Sequence, residues 1–169
     1  MKIMLMRHGD AENGYADAKR RLSEEGRLEA SLAGEFLWRL GETPRAILHS
    51  ELRRSEETAQ IVAQRIGGGI KPSLRHGLLP GDPVSPFAGR LLEEPDDVMV
   101  VGHQPFVSSL AALLLTGSPD GLQVKFPTGA MLCFERLTGL PRGRDGPCCA
   151  LRFHVTAKSI SRLVGDRGR

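Results

Sequence analysis

Histidine and arginine side chains follow three short apolar segments of this sequence. Arg7 and His8 come directly after the first segment, Arg53 and Arg54 lie shortly after the second, and His103 follows the third. Carboxyl ends of parallel strands meet at one edge of a sheet, where ligands bind, so we expect these side chains to converge. Guanidinium groups match phosphoryl oxygens, and helix N-termini add N–H donors. The pattern therefore predicts a pocket that binds an oxyanion, of which phosphate is the best match.

Alternating strand and helix patterns predict the elements that hold these side chains. Short apolar runs indicate strands over residues 2–6, 46–49, 98–101, 130–137 and 148–155. Apolar repeats bounded by Gly and Pro indicate helices over residues 23–41, 52–66, 82–92 and 105–117. This order predicts an α/β protein, a three-layer sandwich with helices on both faces of a mostly parallel sheet and a late antiparallel strand pair. We expect residues 1–169 to form a single domain.

Local signals in two of the helices give more detailed predictions. Ser23 is expected to cap the first helix. Residues that recur every four positions should form the buried face of that helix, namely Leu28, Leu32, Phe36 and Leu40, with Ala33 and Leu37 beside them. In the third helix, Asp82 is expected at the N-cap, with Pro83 as the first helical residue.

The composition argues against several classes of protein. No apolar run reaches the roughly 18 residues of a membrane span, and the first apolar segment is too short for a secretory signal. The three cysteines form no CxxC motif, which disfavours a disulfide framework or a structural zinc site. One Trp and one Tyr give little support for stacking nucleic-acid bases. We therefore expect a cytoplasmic protein with neither a membrane nor a nucleic-acid partner.

Four sequence blocks lie at predicted strand ends or helix starts. They are LMRHGDAE at 5–12, LSEEGRLEA at 22–30, HSELRRSEETA at 49–59 and VVGHQP at 100–105. In this order the blocks resemble the histidine phosphatase superfamily, which has the phosphoglycerate mutase-like fold. The RHGDA run, the short chain and the stretch from Leu79 to Asp82 are most similar to small bacterial phosphohistidine phosphatases of the SixA type.

The resemblance implies that four side chains carry the chemistry. His8 matches the nucleophile, which would be phosphorylated transiently, and the phosphoryl group would be bound by Arg7, Arg54 and His103. The arginine of the family lies four residues after the serine of the second block, which selects Arg54 over its neighbour. Neither a metal nor another cofactor is implied, because the arginines supply the positive charge that magnesium supplies elsewhere.

Other residues are candidates for supporting roles. Thr58 matches a threonine of the family, and Gln104 joins it as a candidate for binding phosphate. Many superfamily members use a glutamate as general acid, but no clear equivalent is visible in this sequence. Asp82 is the best candidate for that role, while Asp10 and Glu12 remain open.

A weak general acid favours one class of substrate. A histidine imidazole leaves phosphorus more readily than an alkoxide does, so we expect hydrolysis of phosphohistidine on a partner protein of a phosphorelay or phosphotransfer system. About 38 residues separate Thr58 from Asp97, which leaves little chain for a lid and predicts an open, shallow cleft. The alternatives are a small-molecule phosphomonoesterase on the same scaffold, a phosphoglycerate mutase, and a phosphate-binding module without turnover.

Overall fold

The computed structural model describes residues 1–14, 16–139 and 146–165. Six strands form one sheet in the order β3-β2-β4-β1-β5-β6. The strands are β1 (Lys2–Arg7), β2 (Ala46–His49), β3 (Ser73–Leu74), β4 (Val98–Gly102), β5 (Met131–Arg136) and β6 (Cys149–Val155). The helices are α1 (Glu24–Leu40), α2 (Arg53–Ile66), α3 (Val84–Leu92), α4 (Phe106–Thr116) and α5 (Ala157–Gly165), with a short 3-10 helix at Asp17–Lys19.

Strand directions confirm the predicted mixed sheet. The first four strands of the order run parallel, β5 is antiparallel to β1, and β6 is antiparallel to β5. Side chains of a strand alternate between the two faces, so β1 supplies both cores. Ile3 and Leu5 pack with α3 and α4 on one face, whereas Met4 and Met6 pack with α1 and α2 on the other. The result is the three-layer α/β sandwich that the sequence predicted.

The predicted buried face of α1 is correct in part. Ala33 and Leu37 are fully buried as predicted and Leu32 and Phe36 are half-buried, whereas Leu28 is 60% exposed and Leu40 is 51% exposed. The other buried positions of the helix are Gly26, Glu29, Ala30 and Gly34. A Cβ built on Gly34 would lie 2.6 Å from the Cβ of Arg65 in α2. The two helices therefore pack so closely that small residues, rather than the leucine repeat, face the neighbour.

The start of α3 also differs from the prediction. The helix begins at Val84, and Pro83 occupies the N-cap without a side-chain cap. Asp82 does not cap the helix, because its carboxylate accepts the backbone N–H of Leu79 at 2.7 Å and closes the preceding turn. In contrast, the Ser23 cap of α1 is confirmed, since its hydroxyl accepts the N–H of Gly26.

Three short elements were not predicted from the sequence. They are the two-residue strand β3, the 3-10 helix and α5, which packs against α1. The strand and the 3-10 helix are too short to show a convincing apolar repeat, whereas α5 is as long as α3 and was not recognised. Among the helices of the described residues, none combines the length and apolar character needed to cross a bilayer.

Candidate active site

The sheet brings three strand ends to one edge. β1 pairs with β4 so that Arg7 lies opposite Gly102, and β2 pairs with β4 so that His49 lies opposite Val101. The residues that follow these strands therefore share one end of the sheet. This parallel register places His8 beside His103, with their ring centroids 4.9 Å apart.

Two hydrogen bonds fix the His8 imidazole. Its Nδ1 lies 2.7 Å from the carbonyl oxygen of Gly9. Because a carbonyl only accepts, Nδ1 carries the hydrogen and Nε2 keeps its lone pair. The Nε of Arg54 donates to this Nε2 at 3.2 Å. The ring nitrogen that keeps its lone pair is thus Nε2, and a guanidinium group lies directly beside it.

Burial keeps both imidazoles neutral at ordinary pH. Burial, together with the positive charges of Arg54 and Arg7, lowers the pKa of His8 to about 4 against the opposing bond to Gly9. Burial, together with His8 and Arg54, likewise lowers the pKa of His103 to about 3. A neutral His8 is the form that can attack phosphorus.

Two polar nitrogens at this site are buried without a partner in the described part of the chain: Nε of Arg7 and Nδ1 of His103. The Nε2 of His103 is already engaged, because it forms a short hydrogen bond with the hydroxyl of Ser50. Buried polar atoms are normally paired, so two unpaired ones in adjacent side chains mark a place for a ligand. One arginine and one imidazole are thereby available to an anion.

The backbone and a neighbouring loop hold the two arginines. Arg7 donates from Nη1 to the carbonyl of Phe126 at 2.8 Å, and burial lowers its pKa. Arg54 is 5% exposed and donates from Nη1 to the carbonyl of Asp17 at 2.8 Å. The Asp17 carboxylate also accepts from Nη2 of Arg54 at 3.2 Å, and this bond lowers the pKa of that carboxyl. Both guanidinium groups are therefore oriented before any ligand binds.

Asp17 was missed in the sequence analysis. It belongs to the 3-10 helix in the loop after β1, and its side chain is 65% exposed. That loop has no apolar repeat, so nothing in the pattern shows where it passes. The only usable signal is that a loop following Arg7 and His8 must start at the edge of the site.

Thr58 and Gln104 have different surroundings. The Thr58 hydroxyl accepts the N–H of Gly9 at 3.1 Å and donates to the carbonyl of Arg54 at 2.7 Å. It therefore links the two segments that carry His8 and Arg54, and it is fully buried. The carboxamide oxygen of Gln104 accepts from the hydroxyl of Ser108 at 2.7 Å.

The three candidates for general acid lie apart from the four central side chains. Among the described residues, none of them forms a hydrogen bond or ion pair with those side chains. Asp82 closes the turn before α3, and the Asp10 carboxylate accepts from the hydroxyl of Ser23 at 2.7 Å. Glu12 is exposed, and its recorded bonds involve its backbone.

The described residues contain no group of three or more His, Cys, Asp or Glu that could hold a metal ion. The positive charge at this edge of the sheet comes from Arg7 and Arg54, beside two neutral imidazoles. Guanidinium groups bind phosphoryl oxygens through paired N–H groups. The arrangement can therefore hold a phosphoryl group against Nε2 of His8, which defines a site for phosphoryl transfer.

Comparisons with known proteins agree with this class of site. The family model described as histidine phosphatase superfamily (branch 1) matches residues 3–79. The uncharacterized protein Rv1276c of Mycobacterium tuberculosis is 30% identical over 160 residues, covering 89% of this chain and 99% of that protein. The chain belongs to the histidine phosphatase superfamily, and it is a hydrolase of the phosphatase class.

Solved structures show the same fold. The protein histidine phosphatase SixA, complexed with tungstate, is similar with a TM-score of 0.82 and 22% identity, covering 95% of this chain and 99% of that one. The alpha-ribazole phosphatase from Shigella flexneri is similar with a TM-score of 0.70 and 19% identity, covering 93% and 97% of the two chains. Both likenesses establish the phosphoglycerate mutase-like fold.

Proposed function

We propose that the protein removes a phosphoryl group from phosphohistidine on a partner protein, through an intermediate phosphorylated on His8. The observation that carries this proposal is the state of the His8 imidazole. Nδ1 is bonded to the carbonyl of Gly9, Nε2 is unprotonated, and Arg54 lies beside Nε2. The Nε2 lone pair accepts a hydrogen bond from Arg54, and it becomes available to attack phosphorus when a phosphoryl group takes over that guanidinium.

The first step transfers the phosphoryl group to the enzyme. Nε2 of His8 attacks phosphorus, and a new P–N bond forms. The P–N bond of the substrate breaks, and its electron pair stays on the substrate imidazole, which takes a proton from water. Meanwhile Nδ1–H of His8 remains bonded to Gly9, so His8 becomes an N-phosphorylated imidazole without losing its orientation.

The second step regenerates the enzyme. A water molecule attacks the phosphorus, the P–Nε2 bond breaks, and the electron pair returns to His8. Inorganic phosphate leaves, carrying the oxygen of that water. In both steps the three phosphoryl oxygens bear the charge, and we assign their binding to Arg7, Arg54 and His103. The unpaired nitrogens of Arg7 and His103 suit this role.

Surroundings of the carboxylates support phosphohistidine as the substrate. Asp82, the best sequence candidate for general acid, uses one carboxylate oxygen to close the turn with Leu79 and forms no hydrogen bond with the four central side chains among the described residues. An alkoxide leaving group needs such a proton donor far more than an imidazole does. The fold likeness to SixA, a protein histidine phosphatase, points the same way. We therefore place the substrate on a phosphorelay or phosphotransfer protein, with residues 1–169 acting as one domain.

The test compares the wild type with His8→Ala on a phosphohistidine-containing transfer protein. We expect phosphate release by the wild type, an acid-labile phosphate adduct at His8, and loss of essentially all turnover in the variant. His76→Ala is the matched control, because His76 is an exposed imidazole. Turnover by His8→Ala at the control rate, with no adduct in the wild type, would refute the proposed intermediate. No phosphate release by the wild type itself, with phosphate binding retained, would indicate a binding module instead.

A small-molecule phosphomonoesterase is the second candidate, favoured by the likeness to alpha-ribazole phosphatase. The two functions differ in which leaving group the site tolerates. We expect kcat/KM to be higher on a phosphohistidine peptide than on sugar phosphates or other alkyl phosphates. Equal or higher kcat/KM on a sugar phosphate would favour the second candidate.

A further inference from the structure

Glu29 is one of the buried carboxylates that the mechanism leaves unused. Glu29 lies in α1 and is only 9% exposed. An ionised carboxylate is costly to bury unless its oxygens accept hydrogen bonds. Burial raises the pKa of this carboxyl, which shows that the cost is only partly offset. A carboxylate buried at such a cost is expected to have a structural role, which its hydrogen-bond partners identify.

Both oxygens of Glu29 are occupied by segments that flank the active site. Oε2 accepts the backbone N–H of Asp10 at 2.8 Å. Oε1 accepts the hydroxyl of Thr128 at 2.9 Å. Asp10 follows His8 by two residues, and the residue after Thr128, Gly129, donates its N–H to the carbonyl of His8 at 3.2 Å. One carboxylate thus connects the chain after His8 to the segment that binds the His8 backbone.

That second segment also holds Arg7. The carbonyl of Phe126 accepts from the Arg7 guanidinium at 2.8 Å, and the carbonyl of Ala130 accepts the Arg7 backbone N–H at 3.0 Å. The contact with α1 is tight, since a Cβ on Gly129 would lie 2.7 Å from the Cβ of Glu29. Gly129 also has a φ of +67°, which favours glycine. A shift of Glu29 would therefore move the segment that orients Arg7.

A carboxylate fits this place better than a neutral side chain. The two groups that face it are donors, and a carboxylate offers two acceptor oxygens and no donor. A carboxamide offers one acceptor for the N–H of Asp10, and its NH2 group can pair with the Thr128 hydroxyl only if that hydroxyl accepts instead of donating. The negative charge of Glu29 also favours the protonated form of Arg7 and so counters the burial of that guanidinium.

We propose that Glu29 is a positioning residue, which holds the Arg7–His8 segment and the 126–130 segment in the geometry that phosphoryl transfer requires. The inference rests on the proposed function of His8 and Arg7, and it adds a residue that touches neither the substrate nor the reacting atoms. Misplacing reactive groups by about 1 Å can cost about a hundredfold in rate. The effect of Glu29 should therefore fall mainly on kcat.

The test uses Glu29→Ala and Glu29→Gln, with Glu24→Gln as the matched control on the exposed side of the same helix. With a phosphohistidine peptide, we expect Glu29→Ala to lower kcat about tenfold to a hundredfold while KM changes less than threefold. Glu29→Gln keeps one acceptor and the shape, so it should recover part of the lost kcat. A kcat for Glu29→Ala within twofold of the control would overturn the proposal.

A second measurement keeps the inference testable if the peptide is not turned over. Nitrogen NMR of the His8 imidazole reports whether its Nδ1 still bonds to Gly9, and titration with inorganic phosphate reports whether Arg7 still binds an anion. In Glu29→Ala we expect shifted His8 resonances and phosphate binding about twofold to threefold weaker, with urea unfolding still cooperative. Unchanged resonances and unchanged phosphate affinity, relative to Glu24→Gln, would refute the role of Glu29 independently of the substrate.

Discussion

The imidazole of His8 illustrates how burial and charge act together at the scale of one residue. Burial and two guanidinium groups lower its pKa to about 4, so it is neutral long before the pH reaches seven. A bound phosphoryl dianion would add negative charge beside the same ring and oppose that shift. Without a ligand, His8 is therefore in the neutral form that the proposed mechanism needs, and the positive charges of the two arginines lie beside it.

Replacing Thr58 should show how far a residue that orients His8 and Arg54 affects kcat/KM in addition to stability. Thr58→Val keeps the shape but deletes the bonds to Gly9 N–H and to the Arg54 carbonyl. We expect kcat/KM to fall about tenfold or more, because His8 and Arg54 lose a shared anchor. Leaving these buried groups unpaired should also lower the free energy of unfolding by about 1–3 kcal/mol.

Thr116→Val is the control for this prediction. Thr116 makes the same bond to the carbonyl four residues earlier, but in α4. Its replacement should lower stability without changing kcat/KM by more than about twofold. Equal kinetic effects of the two variants, measured by phosphate release alongside urea unfolding, would show that Thr58 contributes stability alone.

The sequence predicted the convergence of the four central side chains for a simple reason. Arg7, His8 and His103 lie next to strand ends, and the order of parallel strands follows from the alternation of strands and helices. The contact of Asp17 with Arg54 could not be predicted from the sequence, because it depends on the path of a loop that has no periodicity. The catalytic roles themselves stay predictions until the variants are measured.

At the scale of elements, the start of α1 is packed directly on the loop that carries His8. A Cβ on Gly26 would lie 2.0 Å from the carbonyl oxygen of Asp10. From the other side, a Cβ on Gly9 would lie 2.4 Å from the carbonyl oxygen of Gly26. Two backbones that touch in this way leave no room for a side chain. The glycine in the LSEEGRLEA block is therefore explained by contact with the active-site loop.

Gly26→Ala should consequently damage both stability and activity. The added methyl group would push the loop at Asp10 away from α1, at a cost of about 1–3 kcal/mol or more. Because Asp10 is two residues from His8, we expect kcat to fall at least tenfold. The control is Gly89→Ala in α3, where nothing lies within 4 Å of the new Cβ and alanine favours the helix. Thermal unfolding and phosphate release check both variants, and full activity of Gly26→Ala would contradict the close approach.

The same close packing explains why the buried face of α1 differs in part from the prediction. The leucine repeat of α1 indicated a buried face, yet Gly34 and its neighbours face α2 because the helices approach so closely there. Periodicity alone does not report the distance between helices. α5 was not predicted, although its start has a reciprocal cap in which Thr156 and Ser159 exchange backbone and hydroxyl bonds.

At the scale of the whole molecule, the site makes the fold sensitive to acid. His8 and His103 titrate at about 4 and about 3 in the folded chain, against 6.5 for an unperturbed histidine. Between pH 6.5 and about 4, the unfolded chain therefore binds more protons than the folded one. The stability that neutral burial contributes is complete above pH 6.5 and is lost as the pH falls through this window.

The expected loss can be measured by urea unfolding. For both imidazoles together, lowering the pH from about 7 to about 5 should reduce the free energy of unfolding by about 3 kcal/mol. His8→Asn combined with His103→Asn removes both groups and should flatten most of this dependence. His76→Asn removes an imidazole whose side chain is 78% exposed, so its pH dependence should match that of the wild type. An equally steep dependence in the double variant would show that the two buried imidazoles are not the source, because the same protons would then be taken up elsewhere in the unfolded chain.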